Sequence, residues 1–100
     1  MAGTGAVTVV ARLKAKAGQE DALRAAAAAL IEPTRAEAGC VNYDLHRSRE
    51  DAAQFMFHET WLTQAALDKH LGSAHLQAFG QKAADLLAEP LDVTLWEKMA

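Results

Sequence analysis

Ala53-Gln54-Phe55-Met56-Phe57-His58-Glu59-Thr60-Trp61-Leu62 is aromatic-rich and short, and it reads as a β-strand. Alternation along the strand puts Phe55, Phe57, Glu59 and Trp61 on one face and Met56 and Leu62 on the other. Just upstream, Ser48 to Asp51 forms a polar hairpin loop. Before that loop, residues 40–47 alternate and read as another strand. At the two ends of the chain, residues 6–14 and 91–98 supply two more strands. Between the first two strands, residues 19–32 show helical spacing, with Leu23, Ala26, Ala27, Leu30 and Ile31 on one face. Pro33 should end or kink that helix, a short segment from Thr34 to Ala38 follows, and Gly39 terminates it. After the third strand, Thr63 caps a helix running through His70, and Gly72 ends it. Ser73 caps the next, whose stripe is Leu76, Phe79, Ala83, Leu86 and Leu87, and Pro90 stops it. The order is βαββαβ, a ferredoxin-like α+β antiparallel sheet forming one domain over residues 1–100, with residues 1–5 a flexible start.

Composition narrows the partners. The chain has 100 residues, 51% of them hydrophobic and 23% charged, which is globular. A net charge of −3 without a Lys or Arg block argues against nucleic acid and anionic membrane as partners. Cys40, the one cysteine, fits a reducing cytoplasm and excludes a cysteine-rich zinc site. No signal peptide is expected at Met1 to Ala6, and the apolar run from Ala25 to Ile31 is too short to span a bilayer. Helices cover only one face of such a sheet, yet Val10, Met56 and Leu62 make the other face apolar too. The economical cover is a second copy, so the sequence implies a homodimer with paired sheets.

The runs Arg35-Ala36-Glu37-Ala38-Gly39-Cys40-Val41-Asn42-Tyr43, Phe57-His58-Glu59-Thr60-Trp61, Ala66-Leu67-Asp68-Lys69-His70 and Ser73-Ala74-His75 resemble the antibiotic biosynthesis monooxygenase superfamily. The resemblance extends from about Val7 to Met99. It implies a dimeric α+β barrel with a pocket in each subunit between the helices and the inner sheet face. Members include cofactor-independent oxygenases of polyketide phenols and quinol monooxygenases; others degrade haem or act on a phosphorylated sugar derivative. Fold is therefore implied more sharply than chemistry. The haem-degrading branch carries an asparagine on its first strand, and Val7 to Leu13 contains none.

Several side chains suit such a pocket. Glu59 shares a face with Phe55, Phe57 and Trp61, so its carboxyl is partly desolvated and its pKa raised. Trp61 lines the pocket or is plain core. His70 shares the sheet-facing side of its helix with Ala66 and Leu67, where Glu59 can orient it as a base. The same histidine can equally be a buried structural group. Asn42 offers donors to a developing oxyanion, with the adjacent Tyr43 on the opposite face. His75 stands in the first turn of the last helix, where a histidine is common in the resembling family, and lines the pocket mouth or packs on Phe79. His46 and His58 read as surface or interface groups, and Arg35 and Glu37 as a surface pair. His70 and His75 lack i, i+3 or i, i+4 spacing and no HExxH pattern occurs, so no metal site is expected. No phosphate loop, nucleophile elbow or Rossmann fingerprint occurs either.

The resulting expectation is an enzyme that oxidises a small phenol, quinol or polyketide-like aromatic with dioxygen and no cofactor. Its slot would be lined by Trp61, Phe55 and Phe57. A cofactor-free isomerase or lyase acting on a small carbonyl compound uses the same groups, and a non-catalytic dimer binding a small molecule or haem needs none of them.

Overall fold

The computed structural model describes residues 5–100. The flexible start expected for residues 1–5 therefore falls outside the described residues, except for Gly5. The elements are β1 (Val7–Lys14), α1 (Glu20–Ala28), α2 (Ile31–Arg35), β2 (Cys40–Arg47), β3 (Gln54–Trp61), α3 (Gln64–Leu71), α4 (Ala74–Ala83) and β4 (Asp92–Trp96). The strands form one antiparallel sheet in the order β2-β3-β1-β4. This is the ferredoxin-like α+β arrangement, with the helices on one side.

Strand alternation is met residue by residue. Phe55, Phe57, Glu59 and Trp61 are buried on β3, and Val9, Ala11 and Leu13 are buried beside them on β1. These meet Leu23 and Ala27 of α1, Leu67 of α3 and Phe79 and Ala83 of α4 in one core. Pro33 acts differently from its expected role. The first helix stops at Ala28, and Pro33 sits in the first turn of α2. A continuous helix would press the proline ring on the Ala29 carbonyl, whereas a first-turn proline gives up no helical hydrogen bond. The last helix also ends early, at Ala83, because the chain beyond it pairs with the end of β1. Lys16 N–H donates to the Leu86 carbonyl at 2.8 Å and Ala88 N–H to the Lys14 carbonyl at 2.8 Å. Thr63 and Ser73 cap their helices as their sequence positions require, accepting from the N–H groups of Ala66 and Leu76.

Two parts of the sheet lack a cover. On β4, Val93 and Leu95 pair with Ala11 and Val9 and so share the core face, yet they are 44% and 54% exposed. The outer face is less apolar than the sequence implies. Val10, Met56 and Trp96 stand there among Thr8, Asn42, Asp44, His58 and Thr60.

Candidate active site

His70 is brought inward by helical spacing. Leu67 and His70 lie three apart on α3, and both are buried against the sheet. The imidazole stacks on Trp61 with ring centroids 4.6 Å apart and meets Tyr43 edge-on at 5.5 Å. Its Nδ1 lies 2.7 Å from Oε2 of Glu37. That carboxylate oxygen also receives Nε2 of His75 at 2.8 Å. A carboxylate offers only acceptors, so the bonded ring nitrogen carries the proton in each histidine. In the neutral form of His70 this leaves Nε2 with the free lone pair, on a side chain that borders an apolar cavity.

That cavity lies between the sheet and the last two helices. Val9, Ala11 and Leu13 form its floor, Tyr43 and Phe57 one wall, and Leu76 and Phe79 the other. Its ionisable lining consists of Glu59, His70 and the Tyr43 phenol. The enclosed volume is only about 50 Å³, less than a benzene-sized void. It borders Leu71, Leu91 and Val93, all partly open to solvent, so a ring-sized occupant must displace that rim.

Glu59 is 4% exposed, and its Oε1 accepts the indole N–H of Trp61 at 3.0 Å. Burial raises its carboxyl from 4.5 to about 7; the Trp61 N–H opposes this, and the Glu37 carboxylate adds to it. Burial first, then the Glu59 charge, also pushes the Tyr43 phenol up, so it stays protonated near neutrality. The Cys40 thiol is raised by burial and then by Glu37, which argues against a thiolate nucleophile.

The Glu59 rise has a consequence for stability. The folded state holds this proton more tightly than the unfolded state, so the favourable contribution is complete below about pH 4.5 and disappears as pH rises through about 7. Between about pH 5 and pH 8 the wild type should lose about 2 kcal/mol relative to Glu59→Gln, which has no carboxyl to titrate. Urea midpoints of the two proteins at both pH values measure this, and parallel curves would exclude a raised Glu59.

Some expected placements differ. Glu59 and His70 both border the cavity, but no hydrogen bond joins them; Trp61 holds the first and Glu37 the second. Phe55 and Trp61 are core residues that do not border the cavity, whereas Phe57 and Tyr43 do. Asn42 lies on the outer face, where its amide donates to Asp44 Oδ2 at 3.1 Å and to the His58 carbonyl at 3.0 Å. The irregular pairing between Cys40 and Asn42 sets that parity, and it turns Tyr43 inward opposite Glu59. Arg35 and Glu37 do not pair with each other. Arg35 binds Asp44 at 3.0 Å, and Glu37 turns toward the histidines. His75 meets Glu37 instead of the cavity mouth.

Sequence reasoning missed Glu37, whose only signal was its place in the Arg35 to Tyr43 run. Helical spacing does not govern the separation of His70 and His75, because they sit on two helices separated by Gly72 and Ser73. Donor atoms of Glu37, His70 and His75 lie within 4.8 Å of one another.

A four-stranded antiparallel sheet with paired helices over a small apolar cavity, beside a part-buried carboxylate–imidazole pair, defines a ferredoxin-like α+β domain. Residues 6–82 match the model of the antibiotic biosynthesis monooxygenase family, and the chain belongs to that family. The Mycobacterium tuberculosis protein Rv0793, which carries a provisional monooxygenase name, is 39% identical over 92% of this chain and 90% of its own length. Its solved structure aligns with a TM-score of 0.90 at 36% identity, covering 95% of this chain and 96% of that one. PA3566 from Pseudomonas aeruginosa aligns with a TM-score of 0.91 at 34% identity, covering 96% of each chain. The Synechocystis protein sll1783 is 31% identical over 91% of this chain, which spans 62% of that protein's length. Among the described residues no helix is long and apolar enough to cross a membrane.

Proposed function

We propose that this protein is a cofactor-independent monooxygenase that oxidises a small phenol or quinol with dioxygen. The observation that carries the reading is His70, buried at an apolar cavity with Nδ1 held at 2.7 Å by Glu37 and Nε2 left as a base. A substrate hydroxyl placed against Nε2 gives up its proton there, and Glu37 stabilises the imidazolium that forms. The resulting aryl oxide is a strong electron donor and reduces dioxygen itself. For a quinol, one oxygen atom enters the ring, the other leaves as water, and the product is a hydroxyquinone. All four electrons come from the substrate. Glu59, with its carboxyl near 7, exchanges a second proton with the oxygenated intermediate. Asn42 has no part in this mechanism, because it lies on the other face of the sheet.

The setting proposed is a cytoplasmic homodimer. Support comes from the outer sheet face, which no helix covers and which carries Val10, Met56 and the 57% exposed Trp96. Light scattering should then give twice the 10.7 kDa chain mass. A mass of one chain would remove the dimer.

Hydroquinone and anthrone, assayed with labelled dioxygen, test the chemistry. One labelled atom should enter each product molecule, and turnover should cease without oxygen. The Glu59 and His70 pair also suits proton shuttling in an isomerase or lyase, and undiminished anaerobic turnover would favour that reading over the oxygenase.

A further inference from the structure

His75 has no task in the proposed reaction, yet it shares a carboxylate oxygen with the buried His70. We infer that Glu37, His70 and His75 form a binding site for a first-row divalent transition-metal ion of the Zn²⁺ class. Three features carry this. One is convergence: Oε2 of Glu37 lies 2.7 Å from His70 Nδ1 and 2.8 Å from His75 Nε2, with all three donors within 4.8 Å of one another. Zinc bonds of 2.0–2.2 Å in tetrahedral geometry set donors about 3.3 Å apart, so each carboxylate–imidazole distance must open by about 0.5 Å and the two imidazole nitrogens, within 4.8 Å of each other, must close by at most about 1.5 Å. Another is donor type. Two imidazoles and one carboxylate suit zinc, cobalt, nickel and iron, whereas magnesium and calcium take oxygen donors.

The third feature is access combined with rigidity. The His70 side chain is 3% exposed and fixed by Trp61, while those of Glu37 and His75 are 16% and 26% exposed. An ion therefore enters from the His75 side and keeps water on its remaining positions. Each imidazole stays neutral: the metal takes the lone pair on the nitrogen that now donates to Glu37, and the displaced proton moves to the other ring nitrogen. His70 Nε2 then carries N–H and has no free lone pair. If His70 is the catalytic base, as proposed above, the bound ion inhibits turnover; the metal site itself does not depend on that reading.

Adding Co²⁺ to the whole protein tests the site, because coordination by imidazole at low coordination number intensifies its visible absorption. The expected result is saturation at one ion per chain, displacement by Zn²⁺, and affinity weakened at least about tenfold in His75→Ala and in Glu37→Gln. His46→Ala, whose side chain is outside the cluster, should match the wild type. No saturable one-to-one binding, or binding unchanged in His75→Ala, would overturn the site. This readout requires no turnover, so its failure and that of the oxygenase assay are separable.

Discussion

Replacing His70 by alanine should lower turnover of a phenol or quinol by about 10²–10⁴-fold, the usual contribution of a positioned general base. The loss should fall on kcat more than on KM, because the apolar floor of Val9, Ala11 and Leu13 remains. His70 is 2% exposed between Trp61 and Tyr43, so its removal also opens a void and destabilises the fold. Glu37→Gln separates the two effects. It keeps the side chain's size and an acceptor oxygen but removes the charge that, in the proposed mechanism, stabilises the imidazolium formed when His70 takes the substrate proton. Turnover should drop about 10–100-fold, with the unfolding midpoint changed much less than in His70→Ala. Steady-state kinetics with urea denaturation of both variants decide this. A His70→Ala protein that is folded and retains turnover within a few-fold of the wild type would exclude His70 as the base.

The legible parts of the site follow local periodicity. Residues two apart on a strand share a face whatever lies around them, so Phe57, Glu59 and Trp61 could be grouped from the sequence. Residues three apart on a helix do the same for Leu67 and His70. Glu37 was illegible for the complementary reason. It lies between α2 and β2, where no period fixes direction, and its course depends on how Thr34, Glu37 and Cys40 bond across that turn. Tertiary placement also decided which carboxylate His70 would meet. Glu59 is the nearer candidate by pattern, but its Oε1 accepts the Trp61 N–H and His70 bonds to Glu37 instead. Asn42 and Tyr43 illustrate the remaining limit, since an irregularity at Cys40 to Asn42 assigns their faces and leaves no periodic trace.

Gly39→Ala should be the most disruptive single-methyl change in the turn that presents Glu37. Gly39 has φ +86°, a region that costs an L-residue about 1–2 kcal/mol. A Cβ there would also lie 2.6 Å from the Ala66 Cβ, inside any permitted contact. Overpacking of this kind adds about 1–3 kcal/mol, giving about 2–5 kcal/mol together. That is a large share of a typical domain's stability of about 5–15 kcal/mol. Gly18 supplies the internal control, because it has φ +85° with nothing within 4 Å of its virtual Cβ. Gly18→Ala should therefore show only the backbone cost, and the difference between the variants isolates the contact with α3. Urea unfolding of both proteins measures that difference. Equal losses would mean that the turn yields freely against α3. A larger loss at Gly39 should come with weaker turnover, because Gly39 is two residues from Glu37 and Ala66 is one helical turn from His70. Relieving the overlap pushes those two segments apart, and with them the 2.7 Å contact that fixes the His70 tautomer.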